Sequence, residues 1–384
     1  MGEYLNAYRM KDKIWKIAED KKWDTLMKRF DWVADMAHVP QHILHHAEGD
    51  VGVHTQMVLN ELQQSQAFRA LDLQTQEILW AAALLHDVEK RSSSQDEGNG
   101  IITAHGHARK GEFTARSVLY KDIPTPFRIR EQVASLVRYH GLPVWALERP
   151  HPLRKVAEAS LAVSTAWLRL LAGADARGRI CGDKDRLLDN LELFEWFCKE
   201  QDCWDKPKAF ATDSARFHYF HTENSYVDYV PFDTFTCEVI LLSGLPGMGK
   251  DHYIRSLPAE LPVVSPDALR RKHKVSPTDK SGNGRIIQLA KEEARQRLRK
   301  KEDFIWNATD ITSLMRSQLV DLFTAYNARV KIVYIEKPYA TWRRQNLDRE
   351  YPVPEVVLDR MLGILEVPRL TEAHAVEYMV TDGY

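Results

Sequence analysis

The side chains in this chain that could hold a metal come as an ordered series: His54, the adjacent pair His86-Asp87, His107, His140 and Asp175. Imidazole nitrogen and carboxylate oxygen both suit divalent transition ions such as Mn, Co, Ni, Cu, Fe or Zn. A single histidine is more often an ordinary surface or core residue. The pair His86-Asp87 is different, because it directly follows the apolar run Ala81–Leu85, and two groups that resist burial at the end of a core helix need a partner. Cations held by such a set would acidify water and stabilise charge at phosphorus. Lys90, one helical turn beyond the pair, is either a phosphate contact or a solvent-facing helix lysine. His105 competes with His107 for the same place in the series. His42, His45 and His46 have helical spacing and are expected on an exposed helix face.

A second set lies in the other half. Residues 244–251 read GLPGMGKD, directly after the apolar run VILLS. Glycines between a buried strand and a helix expose backbone N–H groups to phosphate oxygens, and a lysine there reaches the β- and γ-phosphates. Gly244, Pro246, Gly247, Met248, Gly249 and His252 would line this P-loop cradle, with Lys250 as its cation. Ser or Thr usually follows that lysine and ligates Mg. Here the residue is Asp251, whose carboxylate Mg also accepts. The strand DFIWNATD departs in the complementary sense, ending on Asn307 where an acid is usual. The two changes read as one carboxylate moved from the third strand to the loop. Asp267, in VVSPDALRRK, is either a base for an attacking hydroxyl or the start of a helix. Arg343, Asn346 and Arg349 recur every three residues, which predicts one helix face closing over a triphosphate.

The elements needed to position these residues differ between the halves. Segments such as Glu77–Leu85 and Arg130–Arg138 repeat apolar residues at helical spacing, so residues 1–200 read as an all-α domain. Residues 201–232 lack clear periodicity and read as a junction. Residues 233–384 alternate helices with short β-rich runs, Cys237–Leu242, Leu261–Val264, Asp303–Trp306, Val330–Ile335 and Val376–Val380, which predicts an α/β domain with a parallel sheet.

Composition sets limits on partners. A net charge of −1 argues against binding nucleic acid over the whole surface. Basic clusters at 270–274, 295–301 and Arg343, Arg344 and Arg349 instead crowd the half that carries the glycine-rich loop. No apolar run is long enough to span a membrane, and the opening segment lacks the apolar stretch of a secretory signal. Its Met-Gly start is followed by Asn6, which does not fit an acylation pattern. Cys181, Cys198, Cys203 and Cys237 form no CxxC pair, and a reducing cytoplasm suits them. A metal site at Cys198 and Cys203 is disfavoured by zinc spacing.

The series GVHT, LLHDVEK, GHARKG, RYHG and ADARGR resembles the HD phosphohydrolase superfamily over roughly residues 40–180. That resemblance implies an all-helical fold in which His54, His86, Asp87 and Asp175 hold one ion. His107 and His140 would hold a second, with Asp87 bridging. GLPGMGKD, VSPDALR, NATD with downstream Arg316, and RRQNLDREYPVP resemble the P-loop polynucleotide kinases of end-healing systems, over about 237–365. This implies that Lys250 and Arg349 neutralise triphosphate charge, Asp267 is the general base and Arg316 contacts the acceptor phosphate. The two parts in this order are similar to the bacterial HD-Pnk proteins. The implied substrates are RNA or DNA ends bearing 5′-hydroxyl and 2′,3′-cyclic phosphate, with ATP or GTP plus Mg as donor and a polynucleotide ligase acting downstream. The rival expectation is an HD nucleotidase fused to a nucleoside or sugar kinase.

Overall fold

The computed structural model describes residues 14–258, 260–349 and 352–382. The opening residues 1–13, and Glu350 and Tyr351 of the RRQNLDREYPVP motif, lie outside the described residues. The chain divides into two compact units, 1–206 and 207–384.

The first unit is built from helices. The main ones are α1 (Val51–Gln64), α2 (Leu73–Leu85), α3 (His107–Lys121), α4 (Phe127–Tyr139), α5 (Thr165–Arg177) and α6 (Lys184–Glu200). Capping residues fix where several begin. Asp50 accepts from the Val53 N–H at α1, Asp72 from Thr75 at α2 and Ser164 from Trp167 at α5, each satisfying an N–H that the helix leaves open. Helix α2 is apolar over its last two turns and buried from Ile78 to Leu85, as a helix at the centre of a bundle should be. It packs on α1 and α4, while α5 packs on α1 and α3 on α4. A two-residue ribbon, Gln95–Asp96 with Ile102–Thr103, is its β structure.

In the second unit five parallel strands form one sheet: β1 (Cys237–Ser243), β2 (Val263–Val264), β3 (Phe304–Asn307), β4 (Ala328–Glu336) and β5 (Ala375–Val380). Their order is β2-β3-β1-β4-β5. Strand β1 is central and buried along nearly its whole length, as expected where helices cover both faces. The stretch 207–232 is not merely a junction. It contains helix α7 (Asp213–His221), whose Arg216 donates to the Leu370 and His374 carbonyls at 2.9 Å each. Phe217 stacks on His374 and packs against the sheet core. The aromatic spacing that hid this helix from a periodicity reading is what packs it.

Candidate functional sites

The ligand candidates sit where helices of the first unit begin, end or cross. His54 ends the first turn of α1, His86 caps the C-terminus of α2 with Asp87 next to it, His107 opens α3 after Gly106, His140 caps α4 and Asp175 lies in the last turn of α5. Their metal-binding atoms converge. His54 Nε2 is 3.1 Å from Asp175 Oδ1 and 3.7 Å from Asp87 Oδ2, and His86 Nε2 is 3.2 Å from Asp87 Oδ2. On the other side of Asp87, its Oδ1 is 3.4 Å from His107 Nε2 and 3.8 Å from His140 Nε2. Two adjoining triads result, His54–His86–Asp175 and Asp87–His107–His140.

The outward nitrogens fix which atom faces inward. His86, His107 and His140 place Nδ1 2.8, 2.7 and 2.8 Å from the carbonyls of Ala83, Ala104 and Val137, three residues back in each case. His54 Nδ1 lies 2.8 Å from Glu48 Oε1. A carbonyl can only accept, so Nδ1 donates in the first three and the Nε2 of His86, His107 and His140 turns a lone pair into the cluster, the arrangement of ring nitrogens around a divalent ion. His86 Nε2 and Asp87 Oδ1 are buried without a hydrogen-bond partner, an expensive omission unless something electropositive completes them. The residues fit a pair of divalent cations.

Charge around the cluster agrees. Burial opposes ionisation of Asp87 and Asp175, but the Lys90 ammonium beside the first and the Arg179 guanidinium beside the second hold both carboxyls well below their usual range. Burial, with His86 nearby, pushes His140 down to about 3, leaving a neutral ring. Lys90 is not a solvent-facing lysine. Its Nζ is 2.8 Å from Asp87 Oδ2 and donates to Gln41 at 2.8 Å.

Three neighbours were missed or misread in sequence. Glu48 is a carboxylate shared by two imidazoles, since Oε1 is also 2.8 Å from His46 Nδ1, while Oε2 accepts from the Ile180 N–H. Arg179 grips Asp175 with two N–H groups, at 3.0 and 2.5 Å; its signal was the spacing of four residues in ADARGR. The tract 42–46 is a turn rather than a helix face, and His46 is buried against Glu48 and His54. His105, by contrast, is exposed.

In the second unit the glycine-rich loop joins β1 to α8 (Lys250–Ser256). It lies at the C-terminal end of the central strand, the usual ligand edge of an open parallel sheet. Gly244 is obligatory: a Cβ there would lie 2.5 Å from the Ile335 carbonyl oxygen, and its φ is +151°. Lys250 folds back to donate to the Gly244 and Leu245 carbonyls at 2.8 and 3.1 Å. Burial draws it down to about 8, against the pull of Asp267, Asp310 and Asp251. Asn307 donates to Asp251 Oδ1 at 2.9 Å, so the two residues of the inferred carboxylate swap touch. His252 is exposed, on the first turn of α8.

Asp267 lies in the first turn of α9 (Pro266–Lys272), which Ser265 caps, and it pairs with Arg270. Asp310, absent from the sequence candidates, stands among Lys250, Arg316 and Asp267. Burial outweighs the Trp306 N–H that bonds it at 2.9 Å and raises its carboxyl to about 6.

Other expectations are corrected. Arg316 cannot reach an acceptor phosphate. It is fully buried in α11 (Ser313–Thr324), bound to both oxygens of Glu372 and to the Asp310 and Glu366 carbonyls. Nor do Arg343, Asn346 and Arg349 share one face. Helix α12 (Tyr339–Leu347) ends before Arg349, Arg343 pairs with Glu355 at 2.5 Å, and buried Asn346 bonds the backbone of Val353. Arg349 alone of the three stands beside the loop, within 4 Å of where a Gly247 Cβ would be. What ties α12 to the loop is Trp342, whose indole N–H donates to the Pro246 carbonyl at 2.7 Å. The basic run 295–301 is largely matched by Glu292, Glu293 and Glu302 along its own helix, α10 (Lys280–Arg299), and just beyond its end.

A family model described as an AAA domain matches residues 239–368. No curated protein matches the chain. Among solved structures, a candidate kinase from Chloroflexus aurantiacus J-10-fl is 16% identical, covering 39% of this chain and 87% of that one at a TM-score of 0.34. An unliganded sugar kinase from Janibacter sp. HTCC2649 is 15% identical, covering 38% and 85% at 0.30. Likenesses this distant say nothing of substrate. Among the described residues no helix is long and apolar enough to cross a membrane. The C-terminal unit is an α/β domain of five parallel strands that carries a glycine-rich P-loop, preceded by a helical unit whose clustered side chains could hold metal.

Proposed function

We propose that the chain is a bifunctional nucleic-acid end-healing enzyme. Its first unit would be an HD-type phosphoesterase that opens 2′,3′-cyclic phosphate and removes the resulting monoester. Its second would be a kinase that moves the γ-phosphate of ATP or GTP to a 5′-hydroxyl end, leaving the ends ready for a ligase. The observation that carries this reading is the convergence of four Nε2 atoms and two carboxylates in one unit while a separate P-loop occupies the other.

Divalent cations bound by His54, His86, Asp87, His107, His140 and Asp175 would supply Lewis acidity at the phosphoryl group and acidify water near neutral pH. The chain's own residues orient the rest. Glu48 and the three carbonyls hold the rings, Arg179 holds Asp175, and Lys90 offers an ammonium beside Asp87 to a phosphate oxygen. In the kinase, the loop N–H groups and Lys250 cradle the donor phosphates, Asp251 supports Mg, Arg349 offsets charge on the transferring group and Asp267 accepts the hydroxyl proton.

One oligonucleotide carrying both 5′-hydroxyl and 2′,3′-cyclic phosphate ends tests this, with free nucleoside as competitor. Asp87→Ala should lose end hydrolysis and keep phosphorylation, and Lys250→Ala the reverse. Preference for the nucleoside would replace the polynucleotide kinase with a small-molecule kinase. Retention of hydrolysis by Asp87→Ala would remove the phosphoesterase assignment.

A further inference from the structure

The cleft over the metal-ligand cluster is far larger than the phosphoryl group it would act on. It holds about 650 Å³, within the ~300–1,000 Å³ of pockets that enclose a whole organic ligand. Asp87, His107 and His140 line it, and so do Trp145, Arg149 and Arg186. Trp145 closes the short helix Leu142–Trp145, which starts two residues after His140, so the indole is placed directly from a candidate ligand. It is half-buried, packed against the small core of Val144, Ala172, Ala176, Leu187 and Leu191. The Arg186 guanidinium stands 5.6 Å from its ring centroid. Arg186 is mostly exposed, with Asp183 as a carboxylate only at 3.9 Å. Arg149 is exposed too, and its side chain makes no ion pair among the described residues.

An indole serves no purpose for a bare phosphoester. Its flat face already carries the mostly exposed Arg186 guanidinium, whose own planar outer side can stack a nucleobase and adds a charge for the backbone. We propose that Trp145 with Arg186 forms a stacking shelf for the terminal nucleobase, and that Arg149 takes the next phosphate of the strand. The first unit then selects single-stranded nucleic-acid ends over base-free phosphoesters. This deepens the phosphoesterase reading and rests on it.

The test compares, on the full chain, a nucleoside 2′,3′-cyclic phosphate with ethylene cyclic phosphate, the same ring without base or sugar. Trp145→Ala should raise KM for the nucleoside substrate roughly 10–100-fold, the range of one lost base–aromatic stack, with kcat little changed and the base-free ester unaffected. Trp145→Phe should recover most of the loss, and unchanged turnover of the base-free ester certifies that the first unit is folded. Arg149→Ala should abolish the advantage of a dinucleotide over a mononucleotide. A second readout needs no turnover: with EDTA present, an oligonucleotide ending in 5-iodouridine 3′-phosphate is photo-cross-linked and the adduct mapped. An adduct at Trp145 supports the shelf. Equal KM changes on both esters, or first-unit cross-links confined to other segments, would overturn it. If the wild type hydrolyses neither ester, the phosphoesterase reading falls, and the cross-link alone then decides whether the shelf binds bases.

Discussion

At the scale of single residues, what was legible is the chemistry that cannot be hidden in a core. Ionisable side chains at helix ends and glycines before a lysine are costly or special wherever they occur, so the six metal-ligand candidates and the loop could be picked from sequence alone. Residues that act by holding others were not legible, because Glu48, Arg179 and Trp342 look like ordinary surface or core residues until their partners are known. Glu48→Gln tests the first of these. Its Oε1 lies 2.8 Å from Nδ1 of both His46 and His54 while Oε2 accepts from the Ile180 N–H, and an amide has one oxygen and no charge, so its NH2 must face either the Ile180 N–H or the two rings. The expected outcome is a metal affinity weaker by about 10–100-fold, read by titration of Mn or Zn into the apo protein. An unchanged affinity would mean that the His54 ring is held by packing alone. In the second unit, Asp251→Ser should abolish kinase activity, and the double variant with Asn307→Asp should restore part of it. The hydrogen bond between these two residues means that a carboxylate at either position faces the same space. No restoration at any Mg concentration would show that the acid works only from the loop.

At the scale of elements, the strands and core helices were readable because apolar periodicity reports burial directly, and each predicted strand lies within a residue or two of its place. The Arg343–Arg349 face failed because the three-residue spacing assumed a helix that stops at Leu347. Arg316 failed for a different reason: a buried guanidinium and a phosphate-binding one are identical in sequence. Three of its four bonds, two to Glu372 and one to the Glu366 carbonyl, cross-link α11 to the segment before β5, and the fourth holds the Asp310 carbonyl. Arg316→Ala should therefore cost about 3–5 kcal/mol of stability by stranding Glu372, seen as a lower melting temperature, rather than a selective rise in KM for the acceptor. The same segment holds a titrating group. Burial, with Arg329 and His221 nearby, lowers His374 from 6.5 to about 4. The folded ring is neutral and accepts from the Val330 N–H at 3.1 Å. As pH falls below about 6.5, the unfolded chain gains this proton first, so stability is lost between about 6.5 and 4 and levels off below. His374→Asn keeps an acceptor and should flatten that part of the profile in urea unfolding between pH 7 and pH 4. An unaltered slope would assign the loss to other groups.

At the scale of the whole molecule, the change from helical periodicity to strand–helix alternation announced two units, but the aromatic-rich stretch between them concealed a helix. That stretch decides where the second unit can be cut. Helix α7 hydrogen-bonds Leu370 and His374 through Arg216, donates to the Thr371 carbonyl through His221, and lays Phe217 over the His374 ring at 4.0 Å. All three contacts reach the segment that leads into the edge strand β5. A fragment beginning at residue 233, where alternation first becomes visible, would expose that ring and leave three carbonyls to water. A fragment of 207–384 keeps them. Losing one buried aromatic contact and its hydrogen bonds amounts to about 3 kcal/mol, or roughly 6–12 °C for a domain of this size. The fragment 207–384 should therefore melt higher than 233–384 and keep P-loop kinase activity per mole close to that of the full chain, while 1–206 keeps hydrolysis. Equal melting of the two C-terminal fragments would mean that α7 is an ornament on the sheet, and that the second unit is complete from its first strand onward.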